Sequence, residues 1–367
     1  MEWELALVDA DSGDLRQVAQ TVLDALSPDG SQHPTIRQEL LLNTLEVVSK
    51  VCTTTREAMA DLGESVALLR TLTDPLRVDL MCAGTHPFAH WGAQQVSNKE
   101  RYATLIDRTQ FWGRQMLIYG VHVHVGVEDR DKVFPLIGGL LAFYPHLLAL
   151  SASSPFWDGR DTGYASNRAL LFQQLPTAGL PYTSVDSWEK FESYVADMLH
   201  TGVIDAVDEV RWDVRPSPHF GTIELRVFDG VTNVTELASL VALAHCLVEY
   251  LSRRIDAGLP LPSISPWFLS ENKWRAARYG MEAIIILDES GAETLVTDAI
   301  ADLLTELRPV AADLGCAAEL EGVRDIIALG ASYQRQREVF ERGGLEAVVA
   351  HLVREFREDR PLPPDAR

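Results

Sequence analysis

Short runs of alternating apolar and charged residues recur along the chain and predict β-strands with two different faces. In the segment 2–7, three apolar residues alternate with Glu2 and Glu4. Side chains two residues apart on a strand point to the same side of the sheet. The same alternation occurs in segments 43–48, 121–125, 211–215 and 223–227. We therefore predict a sheet with one apolar face for the core and one charged face.

An apolar spacing of three to four residues predicts helices between these strands. One helix should run from the threonines at 53–55, which can cap its start, to Leu72, before the helix-stopping pair Asp74-Pro75. The other predicted helices cover residues 15–26, 98–119, 188–200, 236–255, 294–307 and 338–356. The apolar stretch 136–150 is shorter than the roughly 20 residues of a membrane span. We predict that it is a buried helix, kinked at Pro145.

The domain organisation follows from the absence of any dividing segment. No repeat, low-complexity tract or Gly/Ser linker interrupts the 367 residues. A chain of this length can form one large domain or two to three domains of about 100 to 200 residues each. We predict a single domain over residues 1–358 and a flexible tail over residues 359–367, which contains three prolines.

The composition narrows the function and the compartment. The chain has 53 acidic and 32 basic residues and a formal net charge of -21. Such a charge repels nucleic-acid phosphates and anionic lipids, so we predict neither a nucleic-acid nor a membrane partner. The four cysteines lie far apart without a metal-binding spacing, and the first residues lack a signal-peptide pattern. These features predict a cytoplasmic protein with reduced thiols.

The charged strand faces carry Glu, Asp, His and Arg, and these residue types indicate a specific chemistry. Carboxylates bind Mg²⁺ or Mn²⁺, and these ions in turn hold phosphates. Arginines bind phosphoryl groups and carboxylates. Together on one sheet, these groups indicate metal-assisted phosphoryl transfer. The simpler alternative is an antiparallel sheet with one solvated face.

Several segments together resemble the carboxylate–amine ligase family, the type-2 glutamate–cysteine ligase group, which is related in fold to glutamine synthetase. The main matching segments are 2–4, 120–126 (GVHVHVG) and 211–226. Supporting segments are 84–88, 151–157, 163–168 and 335–337. The resemblance extends from the first residues to about His351 and so covers nearly the whole chain.

The resemblance implies an α+β, glutamine synthetase-like catalytic fold, in which a curved antiparallel β-sheet carries the site and helices pack on one face. It implies an enzyme that uses ATP as co-substrate, with Mg²⁺ or Mn²⁺, to phosphorylate the γ-carboxyl of glutamate. An amine such as that of cysteine would then attack the acyl phosphate and form an amide. The expected partners are these small molecules, and the sequence leaves open whether the chain forms a homo-oligomer.

The resemblance also implies roles for individual residues. The metal ligands would be Glu2, Glu4, Glu46, His122 and Glu224. The catalytic residues that hold the transferred phosphoryl group or the substrate carboxylate would be Arg226 and Arg215. The residues that contact nucleotide or substrate would be His124, Thr85, His86 and Arg168.

Structural roles are alternatives for some of these residues. Glu46 could be a solvated carboxylate, His86 could hydrogen-bond only within its own loop, and Arg168 could only cap a helix. Asp213 could pair with Arg211 or Arg215 on the surface, where an ion pair contributes under about 1 kcal/mol.

Two other functions also remain open. An HxH strand occurs in metal-dependent amidohydrolase barrels, although that motif is expected near the N-terminus and here lies at His122. A non-catalytic relative would bind nucleotide or an amino acid without forming an amide.

Overall fold

A seven-stranded antiparallel sheet forms the centre of the computed structural model, which describes residues 1–365. The seven strands are β1 (Glu2–Asp9), β2 (Ile36–Gln38), β3 (Thr44–Val48), β4 (Val78–Met81), β5 (Gly120–Gly126), β8 (Val214–Ser217) and β9 (Thr222–Asp229). Their order is β2-β3-β1-β5-β9-β8, and β4 pairs with the second half of β1. Two small hairpins are β6 (Phe156–Trp157) with β7 (Arg160–Asp161), and β10 (Ile284–Ile286) with β11 (Glu293–Leu295).

Twelve α-helices accompany this sheet in the described residues. In chain order they are α1 (Ala19–Leu26), α2 (Thr55–Thr73), α3 (Glu100–Arg114), α4 (Val133–Leu141), α5 (Tyr144–Ser151), α6 (Arg168–Phe172), α7 (Trp188–His200), α8 (Val234–Asp256), α9 (Pro266–Tyr279), α10 (Val296–Asp313), α11 (Ala317–Leu329) and α12 (Ser332–Glu358). Helices α2, α5 and α8 pack against β3, β9 and β5 respectively. The predicted α+β class with an antiparallel sheet is confirmed.

The apolar face of the sheet forms the main core. Trp3, Leu5 and Leu7 of β1 have no exposed surface, and the two glutamates between and before them lie on the other face. Burying such side chains stabilises the fold by about 1.5 to 3 kcal/mol each. The apolar residues of β1 therefore face the core, as the alternating pattern predicts.

The helix predictions were correct for α2, whose start is capped by Thr54 and Glu57, and for α7. The stretch 136–150 differs from the prediction, because it forms two helices, with α5 bent 64° from the segment ending at Leu141. Pro145 lies in the first turn of α5. A backbone N–H in the first turn has no partner within the helix, so proline is tolerated there, and the bend lies before Pro145 rather than at it. The sequence analysis missed α9 and α11 and the short strands β2 and β4.

Helix α8 is long and apolar enough to cross a membrane, but 67 % of its most apolar stretch is buried inside the protein. It packs against β5 and α11 as a core helix.

The predicted tail is partly attached to the rest of the protein. Leu362 is buried, and its backbone N–H donates to Glu355 Oε1 at 2.9 Å. The flexibility of the segment from residue 359 onward stays a prediction. Residues 366 and 367 lie outside the described part of the chain.

Candidate active site

The charged face of the sheet forms the floor of a cavity of about 980 Å³. Neighbouring strands place charged residues directly opposite one another on this floor. The opposed pairs are Arg37 with Glu46, Glu46 with Glu4, Glu2 with His122, His124 with Glu224, and Glu224 with Arg215. We call Glu2, Glu4, Glu46, His122, His124 and Glu224 the acidic row. The alternation in the sequence predicted this arrangement, and the strand register brings the members together.

Carboxylates crowd one part of the acidic row. One ligand atom each from Glu4, Glu39 and Glu46 lies within 4.8 Å of the others. Burial and, to a smaller extent, the neighbouring Glu39 raise the pKa of Glu4 to about 7. Burial and the carboxylates of Glu39, Glu2 and Glu4 also raise the pKa of Glu46 well above its usual value. Divalent cations would relieve this repulsion, so the donor set fits a hard metal ion.

The two histidines extend the row. His122 Nδ1 lies 2.6 Å from Glu2 Oε2, and burial together with Arg226 lowers the pKa of His122 to about 4. The imidazole is therefore neutral at pH 7, the form that binds metals. His124 Nε2 lies 3.8 Å from both Glu2 and Glu224, and these three residues form a second group with ligand atoms within 4.8 Å.

Glu224 links the acidic row to two arginines. It accepts hydrogen bonds from Arg226 and, at 2.6 Å, from Arg215 Nε. Burial alone would raise the pKa of Glu224, but Arg226 and Arg215 lower it to about 2. Glu224 is therefore a fixed anion that holds both guanidiniums beside the row.

Basic residues flank the acidic row on two sides of the cavity. Next to β2 the wall carries Arg37, Lys99 and Arg101, and next to β8 and β9 it carries Arg168, Arg211, Arg215 and Arg226. Three buried guanidinium Nε atoms, those of Arg37, Arg168 and Arg226, have no hydrogen-bond partner among residues 1–365. A buried donor without a partner costs free energy, and an anion in the cavity would recover it.

Two of the predicted site residues, Thr85 and His86, do not line the cavity, and Asp213 has a partner that we did not predict. Thr85 donates to Phe156 O at 2.7 Å, and His86 Nε2 lies 2.9 Å from Gly13 O, so both are held in the fold away from the cavity wall. Asp213 is buried and pairs with Lys273 of α9 at 2.6 Å, rather than with Arg211 or Arg215. His124 lines the cavity within the acidic row, and its predicted contact with nucleotide or substrate stays a prediction.

Glu39 is a member of the carboxylate cluster that the sequence analysis missed. It follows β2 and its Oε2 lies 3.4 Å from the hydroxyl of Tyr102. Arg37 and Glu39 alternate with Gln38 and Leu40, which is the same pattern as on the other strands. Three residues of β2 were too few for that alternation to be recognised.

The arrangement as a whole suits the binding of two anions. Metal ions held by the acidic row could neutralise a polyphosphate, and the guanidiniums with unused donors beside it could hold a second anionic group. A cavity of this size is at the upper end of the range of 300 to 1,000 Å³ common for small-molecule sites.

Sequence comparison identifies similar proteins along nearly the whole chain. Residues 1–351 match the family described as glutamate-cysteine ligase family 2. A protein from Mycobacterium sp. (strain KMS), provisionally named glutamate–cysteine ligase 2-1, is 58% identical over 358 residues, which cover 97% of this chain and 94% of that protein.

Comparison with solved structures identifies the same fold at low identity. The crystal structure of a glutamate–cysteine ligase from Francisella tularensis in complex with AMP matches with a TM-score of 0.73 and 13% identity, covering 100% of this chain and 89% of that one. A bifunctional glutathione synthetase from Pasteurella multocida matches with a TM-score of 0.65 and 15% identity, covering 97% of this chain and 51% of that one. At such identities the similarity is one of fold.

Proposed function

The chain belongs to glutamate–cysteine ligase family 2 and is an ATP-dependent ligase, and on this premise we propose the reaction of its site. We propose that the enzyme phosphorylates the γ-carboxyl of glutamate with ATP, and that an amine such as that of cysteine attacks the acyl phosphate. The amine displaces phosphate and forms an amide. The same proposal includes a single catalytic domain over residues 1–358 that works in the cytoplasm, where ATP is available.

One observation carries this proposal: the acidic row stands directly beside guanidiniums that have unused donors. A carboxylate resists attack by an amine because its oxygen is a poor leaving group, and phosphorylation supplies a better one. ATP and glutamate are both anions, so they meet only where their charges are neutralised. Divalent cations held by the row, together with the arginines beside it, would supply that neutralisation.

The residues divide into two sets by chemistry. The residues we propose as metal ligands are Glu2, Glu4, Glu46, His122 and Glu224, together with Glu39 and His124. Mg²⁺ or Mn²⁺ held there would neutralise phosphate oxygens. We propose that Arg215 and Arg226, kept in place by Glu224, bind the transferred phosphoryl group or the substrate carboxylate, and that Arg168 binds an anion beside them.

A phosphate-release assay tests the reaction. The purified protein is incubated with ATP, Mg²⁺ and glutamate across a panel of amines, and phosphate and amide are measured together. We expect release that depends on both glutamate and one class of amine. Glu224→Gln should lose this activity, since Arg215 and Arg226 lose the anion that holds them, whereas Glu64→Gln on the exposed surface of α2 should keep it.

Two outcomes would contradict the proposal. If no amine stimulates phosphate release while ATP and Mg²⁺ still bind, the chain is a non-catalytic relative. If Glu224→Gln keeps full activity, the proposed roles of Glu224 and its two arginines are wrong. Amidohydrolase barrels are built on parallel strands, whereas every strand pair of this sheet is antiparallel, so we do not propose that activity.

A further inference from the structure

Gly120, the first residue of β5, leaves a space that another side chain fills. It lies two residues before His122, so a side chain at position 120 would point into the site. A Cβ atom placed there would lie 2.5 Å from Cζ and 2.6 Å from Nε of Arg168. The guanidinium of Arg168 thus occupies the place on the strand where any other residue would carry its side chain.

The position of Arg168 brings two guanidiniums together. Arg168 Nη1 donates to the backbone oxygen of Arg226 at 3.2 Å. The Cζ atoms of Arg168 and Arg226 lie 5.5 Å and 5.4 Å from the centre of the Phe172 ring. Both Nε atoms are buried without a partner in the described chain, and both residues line the cavity. Glu224 already pairs with Arg226, but an anion between or before the two guanidiniums would satisfy the two unused Nε donors.

A bulge in β9 adds a third component, Asp229. Val121 pairs with Phe228 but Val123 pairs with Leu225, so β9 contains one extra residue in this interval. Such a bulge reverses the alternation of faces beyond it. Asp229 therefore lies opposite Gly120 and points to the same side as Glu224 and Arg226, although its odd number predicts the core face.

Asp229 fixes the start of the helix that carries Arg168. Its Oδ2 accepts from Ser154 Oγ at 2.6 Å, and Oδ1 accepts from Ser166 Oγ at 2.8 Å. Ser154 Oγ in turn accepts from the backbone N–H of Arg168 at 3.1 Å. Asp229 is fully buried, and the charge of Arg168 offsets part of the cost of keeping that carboxylate ionised.

We propose that Gly120 and Asp229 are positioning residues that hold Arg168 beside Arg226, so that the two guanidiniums bind one anionic group of the substrates. This inference rests on the proposed function and names the anion site within it. The ligand is a tetrahedral or planar oxyanion, either a phosphate of ATP or a carboxylate of glutamate. Gly120 provides the space, and Asp229 sets the backbone from which Arg168 reaches it.

The first test is Gly120→Ala, with Gly126→Ala as the matched control. Gly126 ends the same strand, and a Cβ atom there meets nothing within 4 Å. The methyl group at position 120 meets the far end of a flexible side chain, so it should move the guanidinium without unfolding the protein. Calorimetric titration with ATP and Mg²⁺, and separately with glutamate, needs no turnover. We expect about 10- to 100-fold weaker binding of one of the two ligands by Gly120→Ala alone.

The ligand that loses affinity identifies the anion. Weaker binding of ATP assigns the two guanidiniums to its phosphates, and weaker binding of glutamate assigns them to a carboxylate. If Gly120→Ala binds both ligands as Gly126→Ala does, the inference is overturned while the proposed function stands. If the wild-type protein binds neither ligand, the proposed function itself fails.

A double-mutant cycle separates positioning from general damage. Arg168→Ala should weaken the same ligand as Gly120→Ala, and the double variant should be no weaker than Arg168→Ala, because the added methyl group then displaces nothing. Additive losses would show that Gly120 does not act through Arg168. Asp229→Asn should weaken that same ligand selectively; lower stability with unchanged affinities for ATP and glutamate would exclude a positioning role for Asp229.

Discussion

Two buried clusters of charge in this protein have opposite designs. One is the acidic row with its arginines, and the other is centred on Arg335 of α12, which lies between Glu236 of α8 and Glu355 of α12. We call these three residues the Arg335 network. Its guanidinium donates from Nε to Glu355 at 2.8 Å and from Nη1 to Glu236 at 2.8 Å, while Nη2 bonds to both. All three residues are at most 5 % exposed and lie outside the cavity wall.

The two clusters differ in how completely their charges are paired, and this difference indicates which cluster stabilises the fold and which binds ligands. In the Arg335 network every guanidinium nitrogen has a carboxylate partner, so the charges stabilise one another within the fold. In the acidic row carboxylates face carboxylates, and buried guanidinium donors remain without partners. An incompletely paired cluster costs stability, and that cost is recovered when ligands bind. Burial alone would not have distinguished the two.

The largest expected effect is a loss in the free energy of unfolding when the Arg335 network is broken. Arg335→Met leaves Glu236 and Glu355 buried without their cation, and losing one partner of a buried ion pair typically costs about 3 to 5 kcal/mol. Urea unfolding should show this loss in the free energy of unfolding. Arg337→Met is the control, because Arg337 pairs with Asp161 near the surface and should contribute about 1 kcal/mol or less. Equal effects of the two variants would remove the distinction between the clusters.

Glu46→Gln changes the other cluster, the acidic row. It should lower ligase activity by about 10²- to 10³-fold, since the row loses a charge that holds the substrates' counter-ions. It should also raise the free energy of unfolding of the metal-free protein, because it relieves repulsion among Glu4, Glu39 and Glu46. The paired assay and urea titration check both effects. Lower stability would mean that the row is paired internally as the Arg335 network is.

Divalent metal should stabilise the row and leave the Arg335 network unaffected. At a Mg²⁺ concentration of 100 times its Kd, the free energy of unfolding should rise by about 2.7 kcal/mol. Chelation should reverse this gain and also abolish ATP binding. In Glu46→Gln the gain should be smaller, whereas in Arg335→Met it should persist if that variant folds. ATP binding that survives chelation would contradict the proposed metal site.

The smallest expected effect is a pH dependence of opposite sign in the two clusters. Because the pKa of Glu4 rises from 4.5 to about 7, the folded metal-free protein binds more protons than the unfolded chain between these values, and its stability should fall as pH rises. Burial alone would raise the pKa of Glu355, but Arg335 lowers it to about 2. The stability that Glu355 contributes should therefore be lost as pH falls from 4.5 toward 2.

Urea unfolding at a series of pH values, with and without Mg²⁺, measures both pH dependences of the free energy of unfolding. We expect stability to decline between pH 4.5 and 7 and the decline to disappear when Mg²⁺ is bound. An unchanged slope with Mg²⁺ would show that metal does not bind at Glu4.

The sequence predicted the parts of the site that rest on strand alternation. Glu2, Glu4, His122 and Glu224 lie where the two-residue period places them, because the apolar faces of their strands fix the register. The sequence did not predict that Asp229 points to the site face, because a bulge in β9 reverses the two-residue period and no local pattern in that strand reveals the bulge.

Residues in loops were less predictable. Thr85 and His86, which we predict to contact substrate, form hydrogen bonds with Phe156 and Gly13, partners distant in sequence, and His86 Nδ1 also accepts from two backbone N–H groups of its own loop. The partner of Asp213 is Lys273 on α9, a helix whose pattern we had not recognised. Such long-range pairings depend on the tertiary fold, so the neighbouring residues carry no signal for them.

The first and last elements of the chain meet beneath the site. The ring of Trp3, between the two glutamates of β1, lies 5.1 Å from the ring of Phe356 near the end of α12. β1 is also central in the sheet, between β3 and β5. The two glutamates of β1 therefore rest on a side-chain contact between segments far apart in sequence. A change that loosens α12 from the back of β1 would be felt at the acidic row on its front, although α12 contributes no residue to the cavity wall.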